Sequence, residues 1–439
     1  MKKFLLVSVV VVVVSLFFLT LAGLYLKETT GRQIALKRQA IADTGDKVYL
    51  SDYAVDPIPA DQDGLAQFEL ASEHFDRFDK DHITAFPTGF FYESKLNSEQ
   101  IDSMEQLVAD FPAMFEQLDR AAQCTQFVGA SSNSNDPMDA LSNEVLQQLR
   151  TAVRAYSAKA LVAANRGKGD EALRICDNAL KLQQVARVRP TLVSCLVEAA
   201  TQSLIVDTAN HVLRVSQPSS EAIAQFNQTL SGIDNIASLT AAMKGERAFG
   251  LSMITKVKQE GDAGGGTIPG GGFLLGNWLG DAYLNDDEEM YLDLMAANIE
   301  VIGEPKEKRD VVLQKIENEL TATKFRYAMS RMLVPSLSRA HDAIDRIEAK
   351  VRCLRMICDN QEAFQKAESE PLVNVPLDPF DGSPMKAKQT KDGWVVYSVG
   401  ENLVDDGGDV VSQAADSRPL DIGLGPLLPM VDQPAVVAP

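Results

Sequence analysis

DALSNEVLQQLRTAVRAYSAKALVAANRGKGDEALRICDNAL, Asp139 to Leu180, reads as two helices around a glycine turn. Leu141, Val145, Leu149, Val153 and Tyr156 recur at three- and four-residue intervals, which puts them on one stripe of a helix running to Asn165. Gly167-Lys168-Gly169 then breaks the pattern. Asp170-Glu171 opens a second helix whose Ala172, Leu173, Cys176, Ala179 and Leu180 carry its small and apolar side.

The same grammar extends in both directions. Upstream, Ser131-Ser132-Asn133-Ser134-Asn135-Asp136-Pro137 is a loop; downstream, Pro190 opens a helix to about Val215, and Ser219-Ser220 supply an N-cap for the next. Helices are predicted from about Asp310 to Leu333 and from about Pro335 to Ala367. Small residues and leucine after a glycine turn resemble one tetratricopeptide-type hairpin, but a single unit cannot build the continuous core of an array. The reading is mainly α: a helical bundle or short α-solenoid over residues 61–370. The glycine-rich stretch Gly261 to Gly272 has no following Gly-Lys-Ser/Thr and so reads as a loop rather than a phosphate cradle. Phe273, Leu274, Leu275, Trp278 and Leu279 form a dense apolar patch that reads as core, with a membrane-dipping surface as the alternative. The run Asp286-Asp287-Glu288-Glu289 reads as a helix N-terminus, where anions oppose the positive end of the dipole.

Phe4 to Leu26 carries no charge. As a helix it would be ~35 Å long, enough for a hydrocarbon core of ~30 Å. Lys2 and Lys3 precede it, so residues 1–27 read as a signal anchor and single transmembrane helix rather than a cleaved signal, although Thr20-Leu21-Ala22 is a small-residue site. Lys27, Arg32, Lys37 and Arg38 follow the span and leave the basic-residue count undecided. The short cationic start favours a body outside the cytoplasm. Residues 28–60 read as a juxtamembrane connector, helical at first and extended at Asp56-Pro57-Ile58-Pro59.

A net charge of −19 over 439 residues, with no long Lys/Arg run, argues against a nucleic-acid partner. Five cysteines make no disulfide framework, although Cys176 and Cys195 could pair across a hairpin. None of the four histidines, His74, His82, His211 and His341, has the spacing of a zinc helix motif. His74, Asp76, Asp79, Asp81 and His82 form the densest polar cluster and read as a solvated acidic face, with a metal site or a carboxylate-using hydrolase as the alternative. No Gly-x-Ser-x-Gly elbow seats a nucleophile.

The last stretch is turn-rich: Val375-Pro376-Leu377-Asp378-Pro379-Phe380-Asp381-Gly382-Ser383-Pro384, then Met385 to Thr390 and Trp394 to Val399 as a hairpin about Asp392-Gly393, then Asp405-Asp406-Gly407-Gly408-Asp409. Residues 371–416 read as a small β-hairpin module with an acidic glycine loop. Residues 417–439, with Pro419, Pro426, Pro429, Pro434 and Pro439, read as a disordered tail.

The motif Asp378-Pro379-Phe380-Asp381-Gly382, Pro384, Tyr397-Ser398-Val399-Gly400 and Asp405-Asp406-Gly407-Gly408 resembles a family of uncharacterised membrane-anchored proteins of planctomycete-type bacteria. That likeness extends to the hairpin near Gly167 to Leu180 and to Gly245-Glu246-Arg247. The C-terminal pattern is also similar to the end of the major pseudopilin of type II secretion, in which the Asp/Gly loop binds calcium. The resemblance implies Asp405, Asp406 and Asp409 as calcium ligands, with backbone carbonyls completing an oxygen shell. The chain departs from pseudopilins in lacking a prepilin cleavage motif and in the long helical body between anchor and module. The expected function is a non-enzymatic, membrane-tethered scaffold or protein-interaction protein of the bacterial envelope, with a pseudopilin-like component as the narrower alternative.

Overall fold

The computed structural model describes residues 2–85, 96–128, 143–260, 278–322, 326–334, 337–365, 371–391, 393–410 and 420–427. Its first element, α1 (Lys2–Asp43), is one helix of 42 residues. The apolar segment and the expected connector therefore share a single rod, which ends at Thr44 and Gly45, the glycine at φ 82°. The chain then makes a 3-10 turn at Leu50–Tyr53, where the Leu50 amide donates to Ser252 Oγ at 3.0 Å.

Four short helices follow: α2 (Gly64–Ala71), α3 (Phe75–Ala85), α4 (Ser98–Ala109) and α5 (Pro112–Gln123). Asp63 starts the first by accepting from the Leu65 amide, and it accepts from Val128 as well, so one carboxylate ties two segments. Asn97 and Gln100 cap α4 reciprocally, and Pro112 opens α5 where no amide hydrogen is needed. Phe68, Phe78, Met114 and Leu118 are fully buried between these helices. Burying an aromatic or aliphatic side chain of this size stabilises by ~1.5–3 kcal/mol.

The opening stretch of sequence forms α6 (Glu144–Asn165) and α7 (Gly169–Lys181), packed on each other across Gly167; Asp139 to Ser142 lie outside the described residues. Lys168 N donates to Ala163 O, and Gly167 takes φ 75°, the left-handed close of a helix. After the short α8 (Gln184–Arg187), α9 (Leu192–Val215) runs through the centre, touching α6, α7 and α8. Two further neighbours of α9 are α11 (Asn235–Glu260) and α15 (Leu337–Asp359). The segment Leu192–Val215 is also long and apolar enough to cross a membrane, but most of it is buried, as in a core helix. Ser219 caps α10 (Ser220–Ser231) as expected, through the Ala222 amide.

The body closes with α12 (Trp278–Glu300), α13 (Lys306–Ala322), α14 (Ala328–Leu333) and α16 (Gln361–Gln365). The helix expected from Asp310 to Leu333 is two, because Tyr327 is not helical; the one expected to Ala367 ends at Asp359 before α16. Phe273, Leu274, Leu275 and the glycine-rich stretch lie outside the described residues. All five cysteines are free, Cys176 and Cys195 among them, so that pairing is corrected; both are buried small hydrophobes.

The C-terminal sheet is antiparallel, ordered β1 (Lys386–Thr390), β2 (Gly393–Ser398), β3 (Ile422–Leu427). The expected hairpin is thus a three-stranded sheet, and the third strand comes from the stretch expected to be a disordered tail. Ile422-Gly423-Leu424 has the alternation of a strand, with Ile422 and Leu424 buried, and Pro426 at the end of an outer strand removes no needed donor. Residues 428–439 lie outside the described residues. The sheet rests on α15, and one apolar core runs from Ile34 of α1 to Leu424 of β3.

Candidate functional site

The densest concentration of buried charge is on α12, at the run expected to be a helix N-terminus. That reading is corrected: α12 begins at Trp278, so Asp286-Asp287-Glu288-Glu289 sits inside it. Consecutive residues on a helix point ~100° apart, so four acids in the interior face four directions and must each find a partner. Asp286 pairs with Arg326 at 2.9 Å. Asp287, fully buried, accepts from the Met329 and Ser330 amides at 2.7 and 2.9 Å, which satisfies the free donors at the start of α14. Burial raises its carboxyl above the usual range and the Ser330 and Met329 hydrogen bonds draw it back. Glu288, also fully buried, holds Arg38 of α1 and Lys258 of α11, the latter at 2.7 Å. Glu289 reaches Lys37 at 3.2 Å, and Lys37 also meets Asp293 at 2.6 Å. One turn of α12 thereby fastens α1, α11 and α14.

A second junction lies on α11, at Gly245-Glu246-Arg247. A Cβ on Gly245 would stand 1.7 Å from the Pro190 carbonyl oxygen, so glycine is required by the close approach of α11 to the entry of α9. Glu246 accepts from the Leu192 amide at 3.0 Å, and Arg247 pairs with Asp46 at 3.0 Å, which Lys244 also meets at 2.8 Å. Further along, Arg309 and Asp345 form a buried ion pair. Burial pushes the Asp345 carboxyl up to about 6 although Arg309 opposes this. His341, at 3.0 Å from Asn298 Oδ1, is driven down to about 3 by burial and by the nearby Arg309.

The predicted polar cluster does not assemble. His74 ends a 3-10 turn at Ser72–His74, with Phe111 at its edge and Glu73 at 3.3 Å. His82 is buried against Phe78, and burial lowers its pKa. Asp79 is taken by Arg154 at 2.7 Å and by Thr151, and Asp81 faces Arg77 at 3.6 Å. The 3-10 turn changes the angular phase between His74 and the helix that follows, so His74 and His82 do not sit on one continuous helix.

In the acidic glycine loop, Asp405 accepts from Tyr397 Oη at 3.0 Å and the Gly407 amide, and meets Lys386 Nζ at 3.1 Å. Asp406 accepts from Asn402 at 2.8 Å. Lys388 Nζ donates to Gly407 O at 2.8 Å. The loop's amides turn inward instead: Asp406, Gly408 and Asp409 N–H groups surround the fully buried Asp421 carboxylate, at 3.3, 2.7 and 3.1 Å. Gly407 and Gly408, at φ 79° and 81°, allow this inward turn. The loop is built to hold an anion from its own chain, with the Lys386 ammonium on Asp405 and that of Lys388 on the Gly407 carbonyl. Of the expected calcium ligands Asp405, Asp406 and Asp409, the first two are engaged by Tyr397, Lys386 and Asn402, and among the described residues no three His, Cys, Asp or Glu are placed to hold a metal ion. Asp421 was invisible to sequence reasoning because it lies in the stretch read as tail.

The Asp378 motif is likewise structural. Its carboxylate accepts from Phe380 N, Ser398 Oγ and Val399 N at 2.9, 2.8 and 2.9 Å, which joins the turn to β2. Two shallow surface hollows, near 470 and 510 Å³, flank α13 at Gln314 and α5 at Glu116. No protein family, no curated protein and no solved structure matches the chain.

Proposed function

We propose that the protein is a membrane-tethered helical scaffold of the bacterial envelope, with α1 as its single span and the body outside the cytoplasm as an interaction surface. The carrying observation is that α1 passes without a break from an apolar half to the buried acids of α12. Val14, Leu21, Leu24 and Tyr25 are exposed on its apolar half, and apolar surface in water is the mark of a lipid or protein contact. Its other half is pinned by Arg38–Glu288 and Lys37–Asp293. The body would therefore stand on the membrane as a rigid post rather than swing on a linker. The charged and polar clusters described above hold elements together, which favours a scaffold over a reaction centre.

Alkaline carbonate washing of membranes from cells making the full chain tests the tether. The protein is expected in the pellet, and release with the peripheral proteins would contradict the reading. Saturable turnover of a substrate by the purified chain would overturn the scaffold part of it. Protease added to spheroplasts should digest the body, whereas a body protected until lysis would place it in the cytoplasm.

A further inference from the structure

The hollow beside α5 differs from the one on α13 in holding charged groups whose hydrogen-bonding capacity the chain leaves open. Its volume is near 510 Å³, and it lies between α4, α5 and α6, with Val108, Pro112 and Phe115 as its apolar wall and Asp119, Arg120 and Lys159 as its polar one. Phe115 and Asp119 stand four residues apart on α5, which puts the ring and the carboxylate on one face. Lys159 reaches both from α6.

Asp119 is fixed from behind. Its Oδ1 accepts from Tyr156 Oη and from Asn178 Nδ2, each at 2.8 Å. Both donors are buried, Tyr156 completely. Burial and the adjacent carboxylate raise the Tyr156 hydroxyl well above its ordinary value, so it keeps its proton and donates. Two donors on one oxygen stop the carboxylate from turning and leave Oδ2 for the hollow. Lys159 Nζ stands 3.7 Å from that Oδ2, close enough for an ion pair and too far for a hydrogen bond. The same ammonium lies 4.5 Å from the centroid of the Phe115 ring, a π-face that attracts a cation without saturating its three donors. Among the described residues neither Asp119 Oδ2 nor Lys159 Nζ has a hydrogen-bond partner, and their side chains keep 29% and 22% of their surface exposed. A fixed acceptor and a donor of opposite charge thus share one accessible gap beside an apolar wall.

We propose that this hollow binds a small zwitterion with an apolar side chain, of the class of the apolar α-amino acids, through Asp119, Lys159 and Phe115. The ligand's ammonium donates to Asp119 Oδ2, its carboxylate accepts from Lys159 Nζ, and its side chain lies along Val108 and Pro112. Arg120 is taken by Glu116 at 2.6 Å, so Lys159 is the cation that the carboxylate meets. A plain carboxylate would face Asp119 with like charge, and a plain amine would face Lys159 in the same way; a zwitterion answers both. The volume falls in the ~300–1,000 Å³ range of small-ligand pockets. The site belongs to the helical body and does not depend on the membrane reading of α1.

Isothermal titration calorimetry of the full chain in detergent micelles, with L-leucine and L-phenylalanine as ligands, tests this. N-acetyl-L-leucine, which lacks the ammonium, and L-leucinamide, which lacks the carboxylate, are the controls. Saturable single-site heat is expected for the two amino acids, with affinity about tenfold or more weaker for each control, because a charge-assisted hydrogen bond is lost. Lys159→Gln keeps a stem over Phe115 and removes the charge. It should weaken leucine by about tenfold or more and leave leucinamide no weaker than in the wild type. Asp119→Asn should do the converse, sparing N-acetyl-L-leucine; should loss of the Tyr156 contact unfold it, Lys159→Gln alone decides. Absence of saturable heat with either amino acid would overturn the inference. Equal affinities for leucine and both controls would also overturn it, by showing apolar adsorption only, and so would undiminished leucine affinity in Lys159→Gln.

Discussion

Gly245 and Gly167 show how differently two helix-associated glycines can be used. A methyl at Gly245 meets the Pro190 carbonyl, whereas one at Gly167 meets nothing within 4 Å and costs only the left-handed backbone. Gly245→Ala should destabilise by about 3 kcal/mol or more, as overpacking against backbone does, and Gly167→Ala by about 1–2 kcal/mol. Urea titration of both variants checks the order; equal losses would contradict the close approach. Titration is also set residue by residue. His341 and His211 are depressed to about 3 and about 4 from 6.5, so the unfolded chain takes up their protons first. Their stabilisation is complete above pH 6.5 and is lost as pH falls toward those values. Asp345, raised to about 6 from 3.8, acts in the opposite sense between those two values. Stability measured at descending pH should fall less steeply in His341→Gln, by up to about 1.4 kcal/mol per pH unit for the one proton removed. An unchanged slope would show that His341 is not depressed.

At the scale of elements, the acids of α12 are the main fastening. Glu288→Gln leaves Arg38 and Lys258 facing a neutral amide, and should cost less than the ~3–5 kcal/mol of a wholly buried broken pair because both cations keep part of their surface in water. Hydrogen exchange should then quicken in α1 after Gly31 and in α11, with little change in β2. In the sheet, calcium, magnesium and chelator should give superimposable melts, since Lys386 already pairs with Asp405 and Asp421 takes the loop's amides. A calcium-specific rise abolished by Asp405→Ala would contradict this. Asp421→Ala should release β3 and expose β2 amides to exchange. Much of this level was legible in advance: the α6–α7 hairpin, the Ser219 cap and the β1–β2 pairing follow from local periodicity and turn chemistry. What escaped was non-local. The four-acid run gives no local sign of which helices it meets, and β3 is a strand only because β2 offers it an edge.

For the molecule as a whole, the sequence's division into anchor, connector, helical body and C-terminal module describes composition along the chain, but one core joins Ile34 to Leu424 across those boundaries. The reason is geometric: α1 does not stop where its apolar segment stops, and the sheet rests directly on α15. The mainly helical class was readable from periodicity, whereas the 3-10 turn between His74 and α3 has no local sign in the sequence. The central claim is that α1 is at once the membrane span and the post on which the body stands. Spin labels placed singly at Val14, Leu21, Tyr25 and Leu36, all exposed on α1, test it in vesicle-reconstituted protein. A Cys124→Ser background suits the labelling, because the other four cysteines are buried. Relaxation by oxygen should dominate at Val14 and Leu21, relaxation by a water-soluble nickel chelate should dominate at Leu36, and the crossover should fall near Tyr25. Nickel-dominated relaxation at all four positions would contradict the account.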